Sequence, residues 1–422
     1  MKGWRWVPTL YFAEGVPYAV VGSVSIVLLK NLNLSNAEIA LYSSLLTLPW
    51  AIKPLWAPVL DIFGSKKNWI ASLEFLMALF FALAALLLAA APFNALFLAL
   101  LFALAFVSAT HDVAADGFYL IGLDTHGQSF FTGIRSTAYR AGVIATQGGL
   151  VMLAGYYAQC SGSAGAGWAL AFTLAAAIFA LLSLWHFRSL PAVEAQVVSS
   201  GGMREFGEAF VTFFQKKHVG AALAFILLYR LGESQLVRLA APFMLDAAES
   251  GGLGFSTLEQ GLFYGTIGVA ALLAGGVLGG VVISRDGFGR WAWPMALAIN
   301  LPNLLYVYLA AVRPSSRMIA GGCVAVEQFG YGFGFTLYML FMVAFAEDSG
   351  KYRTSHFALM TGFMMLGMMI PGMAAGYIQG LLGSYVWFFV FVMVCTLPGF
   401  AVTALGKRIV PADFGRPERA AP

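Results

Sequence analysis

Residues 94–117 read NALFLALLFALAFVSATHDVAADG, and this stretch decides the kind of fold that the chain adopts. It begins with a long apolar run, and a helix needs roughly 20 such residues to cross the hydrocarbon core of a bilayer. His111, Asp112 and Asp116 follow within the same segment. Ionisable side chains at membrane depth are costly and mark functional sites by default, so the stretch predicts a transmembrane helix that carries chemistry.

The composition extends this prediction to the rest of the chain. Of the 422 residues, 60% are hydrophobic and only 10% are charged, whereas a soluble protein carries about 25% charged residues. We therefore predict an all-α polytopic membrane protein with twelve transmembrane helices. The predicted spans lie near residues 8–30, 37–57, 69–91, 94–117, 137–160, 168–187, 218–245, 258–283, 290–312, 317–345, 354–380 and 385–405.

Basic residues predict the orientation of these spans, because loops rich in Lys and Arg face the cytoplasm. The loops around Lys66, Arg204 and Lys351 are then cytoplasmic, and those that hold Lys30 and Arg313 lie outside. Both termini are cytoplasmic in this topology. Since the basic residues sit in short loops between apolar runs, the net charge of +4 does not indicate a nucleic-acid partner.

The two halves of the sequence echo each other. SNAEIALY at 35–42 matches STLEQGLF at 256–263, an offset of 221 residues, and each begins with a Ser-x-x-Glu capping box that starts a helix. Parallel repeats of six spans are the architecture of the major facilitator superfamily. The predicted domains are two six-helix bundles, a linker loop between them and a C-terminal tail, at 1–187, 218–405, 188–217 and 406–422 respectively.

Three stretches of the first half carry a more specific resemblance: YFAEGVPY at 11–18, KPLWAPVLD at 53–61 and ATHDVAAD at 109–116. Together they resemble the muropeptide permease branch of the major facilitator superfamily, which also includes relatives of acetyl-CoA transporters. The resemblance implies a proton-driven secondary transporter of the inner membrane for a sugar-peptide or another large anionic solute. It implies solute, protons and lipids as partners, and we expect a monomer.

Two loops, at 57–68 and 279–290, resemble the loop signature of the same superfamily. In that signature basic residues pair with an acid near a helix end and latch the cytoplasmic side. The alternative interpretation is that each loop is only a solvated loop rich in basic residues, without a gating role. The residues to which the resemblance assigns the gating role are Asp61, Lys66, Lys67, Asp286 and Arg290.

Charged residues also fall within the predicted spans of the first half, where each needs a partner or water. Asp112 and Asp116 are four residues apart and share a helix face. The expected solute contacts are Lys53 and Tyr18, the expected proton-coupling groups are Asp112 and Glu14, and the expected gating or ion-pair residues are Asp116 and Arg140.

The leading site lies in the second half. Arg230 and Glu233 are three residues apart on the seventh span, and Glu327 and Gln328 lie about 15 Å into the tenth. Arg230 offers a planar, permanently charged fork for a carboxylate or phosphate, so we expect Arg230 and Gln328 to contact the solute. Acids outnumber bases in the spans, so some carboxyls lack a basic partner and can carry a proton. Glu327 is the first choice for this role and Glu233 the second.

Two further charged positions have predicted structural roles. Glu74 lies near the start of the third span, so we expect it at the membrane interface. Arg238 is expected to pair with Asp246 near the outer end of the seventh span.

A polytopic membrane enzyme that acts on lipid-linked substrates is the alternative function. His111, Asp112 and Asp116 supply nitrogen and oxygen ligands that suit a divalent metal. An enzyme, however, has no need of two matching halves, and a receptor or scaffold has no need of buried charges. The chain lacks a G-x-x-x-x-G-K-[ST] phosphate-binding loop. We therefore predict a secondary transporter, with neither enzymatic activity nor a metal or other cofactor.

Overall fold

The computed structural model of the chain describes residues 2–57, 60, 65–90, 95–191 and 202–416, and these residues form helices without a strand. The helices before residue 200 are α1 (Val7–Ala19), α2 (Ser25–Asn31), α3 (Asn36–Leu45), α4 (Leu48–Ile52), α5 (Lys66–Ala90), α6 (Ala95–Gly122), α7 (Thr125–Ile144), α8 (Val151–Ser161) and α9 (Ala164–Ser189). Those after it are α10 (Gly202–Phe214), α11 (Val219–Leu228), α12 (Leu231–Leu245), α13 (Thr257–Gln260), α14 (Val269–Asp286), α15 (Phe288–Asn300), α16 (Leu304–Val312), α17 (Arg317–Glu347), α18 (Arg353–Leu382) and α19 (Tyr385–Ile409).

Most of these helices suit a membrane. Within the described ranges, nine helical stretches of 25 to 31 residues are long and apolar enough to cross one. A tenth is added if Gly207–Phe214 and Val219–Leu245, which meet at 96°, form one broken span. The all-α polytopic class is confirmed, and the predicted count of twelve is consistent with this arrangement.

Two predicted spans, 37–57 and 137–160, are not among those stretches. The first is divided into α3, α4 and a 3-10 turn at Lys53–Leu55. The second belongs to a longer helical run that begins with α7, where the Asp124 side chain caps the helix by accepting a hydrogen bond from Gly127 N at 2.8 Å. The first turns of α7 are polar, so the apolar pattern that predicted the span begins later than the helix does.

The chain divides into two compact units. The segments of unit 1 are Met1–Leu34, Leu45–Gly202 and Ser256–Gly265, and those of unit 2 are Ser35–Ser44, Met203–Phe255 and Thr266–Pro422. Two short segments, 35–44 and 256–265, are thus grouped with residues from the opposite half of the sequence. The bundle boundaries drawn from the sequence remain a prediction.

Both predicted capping boxes are confirmed. Ser35 N donates to Glu38 Oε2 at 2.9 Å, and Glu38 N donates back to Ser35 Oγ at 3.3 Å. Ser256 and Glu259 repeat this exchange at 2.8 and 3.2 Å. The reciprocal bonds satisfy backbone donors that a helix start leaves open, so α3 and α13 begin where the sequence predicts.

Irregular helical segments interrupt several of the helices. Three of them are π-helical turns, at Val20–Val24, Ala145–Leu150 and Gly261–Gly268. A fourth irregularity separates α11 from α12 at Arg230, whose φ of −110° and ψ of 21° leave the helical region. Such turns interrupt the regular backbone ladder and are frequent at functional sites.

Small residues bring α1 against α7. A Cβ added at Gly142 would lie 2.5 Å from Phe12 O, and one added at Gly15 would collide with Tyr139 O. Glycine permits such a close approach between membrane helices. The approach places Glu14, the neighbour of Gly15, within electrostatic reach of Tyr139.

Candidate functional site

In unit 1, Lys53 and Asp112 form an ion pair between Nζ and Oδ2. Lys53 is at the start of the 3-10 turn after α4, and Asp112 is on α6. The Glu14 carboxyl on α1 contacts Asp112, while its Oε2 is buried and has no hydrogen-bond partner among the described residues. Two carboxyls in contact cannot both ionise easily, so this pair is suited to share one proton.

Asp116 lies one turn further along α6 and has its own partners. Its Oδ1 accepts from Arg135 Nη2 at 3.0 Å and from the Tyr11 hydroxyl at 3.1 Å. The Arg135 guanidinium also lies 4.5 and 5.0 Å from the ring centroids of Tyr11 and Tyr119. Arg140 is exposed, so Arg135 occupies the place beside Asp116 that the sequence analysis associated with Arg140.

Tyr18 belongs to an aromatic group beside these charges. Its ring centroid lies 5.3 Å from that of Trp50 and 6.0 Å from that of Tyr139. These three residues come from α1, α4 and α7. Tyr18 therefore lies on the same helix as Glu14 and packs against Trp50 of α4, the helix that ends just before Lys53.

In unit 2, Arg230 is enclosed by aromatic rings of α17. Its guanidinium carbon lies 5.2, 4.9 and 5.7 Å from the ring centroids of Tyr331, Phe335 and Tyr338, and its Nη2 donates to the Tyr331 hydroxyl. Cation–π contacts of this kind stabilise a buried guanidinium without cancelling its charge. Arg230 is 8% exposed.

Two buried acids lie near Arg230. Glu233 is one turn along α12 and interacts electrostatically both with Arg230 and with Glu327 on α17. Gln328 Nε2 donates to Glu327 Oε2 at 3.0 Å. One oxygen of each acid, Glu233 Oε2 and Glu327 Oε1, is buried and lacks a hydrogen-bond partner within the described part of the chain. The four residues predicted as the leading site are therefore together, with two acids and one base.

Asn303 is a polar residue that the sequence analysis did not identify. It is 1% exposed, at the end of the turn Leu301–Asn303, and neither amide atom has a hydrogen-bond partner in the described ranges. Gly330 of α17 packs against the neighbouring Pro302. Buried amides are almost always hydrogen-bonded, so this one is a candidate for a ligand contact.

Glu74, Arg238 and Asp246 have partners that the sequence did not predict. Glu74 is fully buried and contacts histidines on two other helices. Arg238 Nη1 donates to Ser43 O at 3.3 Å, and Asp246 accepts from the Tyr385 hydroxyl at 2.5 Å. No local sequence pattern indicates these partners, since each is far away along the chain.

The loop acid Asp286 is surrounded by donors. It accepts from Trp291 Nε1 at 3.0 Å, Arg285 Nη2 at 3.3 Å and Arg290 Nη1 at 3.4 Å. The equivalent Asp61 lies outside the described residues. Lys66 packs against Gly117 and Lys67 lies 5.8 Å from the Phe187 ring. The gating role of these residues remains a prediction.

The three proposed metal ligands of the alternative function have separate partners. His111 faces Glu74, Asp112 pairs with Lys53, and Asp116 pairs with Arg135. No group of three or more ligating side chains is placed to hold a metal in the part of the chain that the structure describes. The geometry therefore does not favour a metal at these residues.

Known proteins match the chain in sequence. A family model described as the BT1 family matches residues 14–136. The putative transporter AmpG 4 of Rickettsia conorii is 24% identical over 413 residues, which cover 93% of this chain and 94% of that protein. The anhydromuropeptide permease of Escherichia coli is 24% identical over 401 residues, which cover 92% and 77%.

Solved structures match the fold. The nucleoside transporter NupG superposes with a TM-score of 0.68 at 16% identity, covering 94% of this chain and 98% of that one. A D-xylose–proton symporter superposes with a TM-score of 0.69 at 14% identity, covering 97% and 98%. The protein is therefore a membrane transporter with the major facilitator fold, not an enzyme. Within that class it is similar to the AmpG-type permeases, so the resemblance carried by the three motifs of the first half is confirmed.

Proposed function

We propose that this transporter is proton-coupled and moves a sugar-peptide of the muropeptide kind, or another anionic organic solute, across the inner membrane by alternating access. The charge imbalance around Arg230 carries the proposal. Glu233 is buried within electrostatic reach of Arg230, and Glu327 is buried within reach of Glu233 and near the Tyr306 hydroxyl. One oxygen of each acid lacks a hydrogen-bond partner in the described residues. A second ionised carboxylate in such a site is expensive, so a proton neutralises it in one part of the cycle.

Arg230 is the group proposed to recognise the anion. Its three aromatic neighbours hold the guanidinium in place, and they are also surfaces on which a sugar ring stacks. Gln328 and Asn303 supply amide groups that suit the hydroxyl and peptide groups of such a solute. The name of the Escherichia coli relative, anhydromuropeptide permease, supports this substrate class.

Unit 1 is proposed to respond to the same proton cycle. Lys53 and Asp112 are paired, and Glu14 contacts Asp112. Protonation of Asp112 or Glu14 changes the charge around the Lys53–Asp112 ion pair and frees the Lys53 ammonium to bind a solute carboxylate. Tyr18 is proposed to contact the solute here.

The topology and gate are proposals as well. We propose that both termini lie in the cytoplasm and that the protein is a monomer. The bundles at 1–187 and 218–405 are proposed to move relative to each other during transport. Asp286 with Arg285, Arg290 and Trp291 supports a cytoplasmic latch in the second half. Impermeant thiol reagents applied to intact cells carrying single cysteines test the orientation.

Transport by reconstituted proteoliposomes tests the function. We expect radiolabelled anhydromuropeptide to accumulate under a pH gradient and a protonophore to abolish that accumulation. Counterflow without a gradient measures binding and exchange separately. Accumulation that a protonophore leaves unchanged would contradict proton coupling, whereas gradient-driven accumulation of a different organic anion would reject only the sugar-peptide.

A further inference from the structure

Three titratable side chains meet in the interior of unit 1, apart from the ion pairs described above. Glu74 on α5, His111 on α6 and His186 on α9 are 0%, 1% and 0% exposed. His186 Nδ1 lies 2.7 and 2.8 Å from the two oxygens of Glu74, and His111 Nε2 lies 3.3 Å from Oε1. Thr9 on α1 completes the group, with its hydroxyl 2.9 Å from His186 Nε2.

The hydrogen bonds of Thr9 allow two proton states of His186. The Thr9 hydroxyl has one hydrogen and two neighbours, His186 Nε2 and Trp6 O, the latter at 3.1 Å. If the hydroxyl donates to Trp6, Nε2 must carry a proton and donate to Thr9, so the imidazole holds two protons. If the hydroxyl turns to Nε2, the imidazole is neutral. The same heavy-atom geometry accommodates both states.

Charge balance favours the state with the extra proton. An ionised Glu74 beside two neutral imidazoles would leave a net negative charge in a site closed to solvent, which is costly. One proton, on an imidazole or on the carboxyl, makes the group neutral. The other charged residues on the four helices that supply this group are Glu14, Lys66, Lys67, Asp112, Asp116 and Arg188. Of these, Asp112 interacts electrostatically with His111.

We propose that Glu74, His111 and His186 form a second proton-binding site, whose charge acts on the neighbouring Asp112. A proton added to His186 Nε2 turns the Thr9 hydroxyl towards Trp6 O, and no covalent bond of the protein other than N–H forms or breaks. The change of one charge alters the electrostatic potential at Asp112 and thereby the strength of its pair with Lys53. The proton site itself does not depend on the proposed function, and only its link to the transport cycle rests on that function.

Nitrogen-15 NMR of the histidine-labelled protein in nanodiscs tests the proton site directly. The imidazole signals of His111 and His186 are assigned by His111→Asn and His186→Asn, and infrared difference spectra with Glu74→Gln assign the carboxyl. We expect one doubly protonated imidazole, or a protonated Glu74, at neutral pH and its deprotonation at higher pH. Two neutral imidazoles and an ionised Glu74 from pH 5 to pH 8 would overturn the proposal.

Exchange activity tests the coupling to Asp112. We expect Glu74→Gln and His186→Asn to reduce the pH dependence of counterflow without abolishing it, since Glu327 keeps its own proton. Ser183→Ala is the matched control, because Ser183 is one turn from His186 and donates to Ala71 O, one turn from Glu74, at 2.8 Å. An equal change in the control would assign the cluster a packing role and reject the coupling. If the wild type shows no proton-driven uptake while NMR still detects the protonated cluster, the proposed function is rejected and the proton site is not.

Discussion

Unit 1 and unit 2 balance their buried charges differently. In unit 1 each acid of the candidate site has a basic or carboxyl neighbour, such as Lys53 for Asp112 and Arg135 for Asp116. In unit 2, Glu233 lies within reach of Arg230 and Glu327 within reach of Glu233, and one oxygen of each acid lacks a hydrogen-bond partner in the described ranges. The comparison indicates that unit 1 pairs two of its three acids with bases and leaves Glu14 Oε2 without a hydrogen-bond partner in the described ranges, whereas unit 2 has two acids and one base. Unit 2 therefore leaves the larger share of its charge balance to a solute or a proton.

The cost of the arrangement in unit 2 supports a functional interpretation. A buried polar group without a hydrogen bond costs about 1–3 kcal/mol. Glu233, Glu327 and Asn303 all contain such atoms within the described residues. Folding alone would favour apolar side chains at these positions, so binding is the expected reason for the polar ones.

Arg230→Ala is expected to have the largest effect. Removal of the guanidinium deletes the proposed charge-assisted bonds to the solute and should weaken solute binding roughly 10- to 100-fold. Binding is measured by the ligand-dependent shift in thermal stability. Arg313→Ala is the control, because the exposed Arg313 side chain donates to a backbone carbonyl, Ala248 O, at 2.9 Å. Equal loss in both variants would contradict the assignment.

The ion pair of unit 1 gives the next effect. Asp112→Asn leaves the Lys53 ammonium partly buried without its counter-charge and should lower the free energy of unfolding by about 1–3 kcal/mol. The double variant Lys53→Met/Asp112→Asn should recover part of that loss, because both charges are gone. Thermal denaturation in detergent measures the cycle. Strictly additive losses would show that the pair contributes nothing to unit 1.

Asn303→Leu separates binding from stability in unit 2. The substitution removes amide atoms that have no partner in the described chain, so stability should hold or rise, while solute binding should fall about 3- to 10-fold. Asn300→Ala is the control: Asn300 Nδ2 already donates to Ala296 O at 2.8 Å, so its loss should leave binding unchanged. A loss of stability without a loss of binding would make Asn303 a structural residue.

The latch is expected to have the smallest effect. Asp286 accepts from two arginines whose side chains are 74% and 68% exposed, and solvated pairs are worth about 0–1 kcal/mol. Asp286→Asn should therefore slow transport up to about fivefold while solute affinity stays constant. Rapid-mixing uptake and equilibrium binding measure the two quantities. Lost affinity at an unchanged rate would place Asp286 in the binding site instead of the gate.

Features that depend on local sequence were predicted well. Apolar runs predicted the helical membrane fold, and the two Ser-x-x-Glu motifs predicted the starts of α3 and α13. The grouping of Arg230 with Glu233, and of Glu327 with Gln328, followed from residues near each other on one helix. These signals are local because helix formation and capping depend on residues within one or two turns.

Features that depend on contacts between distant helices were not predicted. The Glu74, His111 and His186 cluster joins residues separated by up to 112 positions, and neither Glu74 nor His186 belongs to a motif. Arg135, and not the predicted Arg140, lies beside Asp116, and the Tyr11 and Tyr119 rings hold its guanidinium there. Helix packing determines which of two nearby residues becomes the partner, and the periodicity of the sequence does not reveal this.

Glu327→Gln tests the central claim most directly, because glutamine keeps the shape and polarity of the side chain but cannot carry the coupling proton. The measurement compares counterflow with pH-gradient-driven accumulation in the same proteoliposomes, with Glu233→Gln alongside. The account predicts that Glu327→Gln retains counterflow and loses accumulation. A Glu327→Gln protein that still concentrates the solute against its gradient would contradict the account and transfer the proton-carrying role to Asp112 or Glu14 in unit 1.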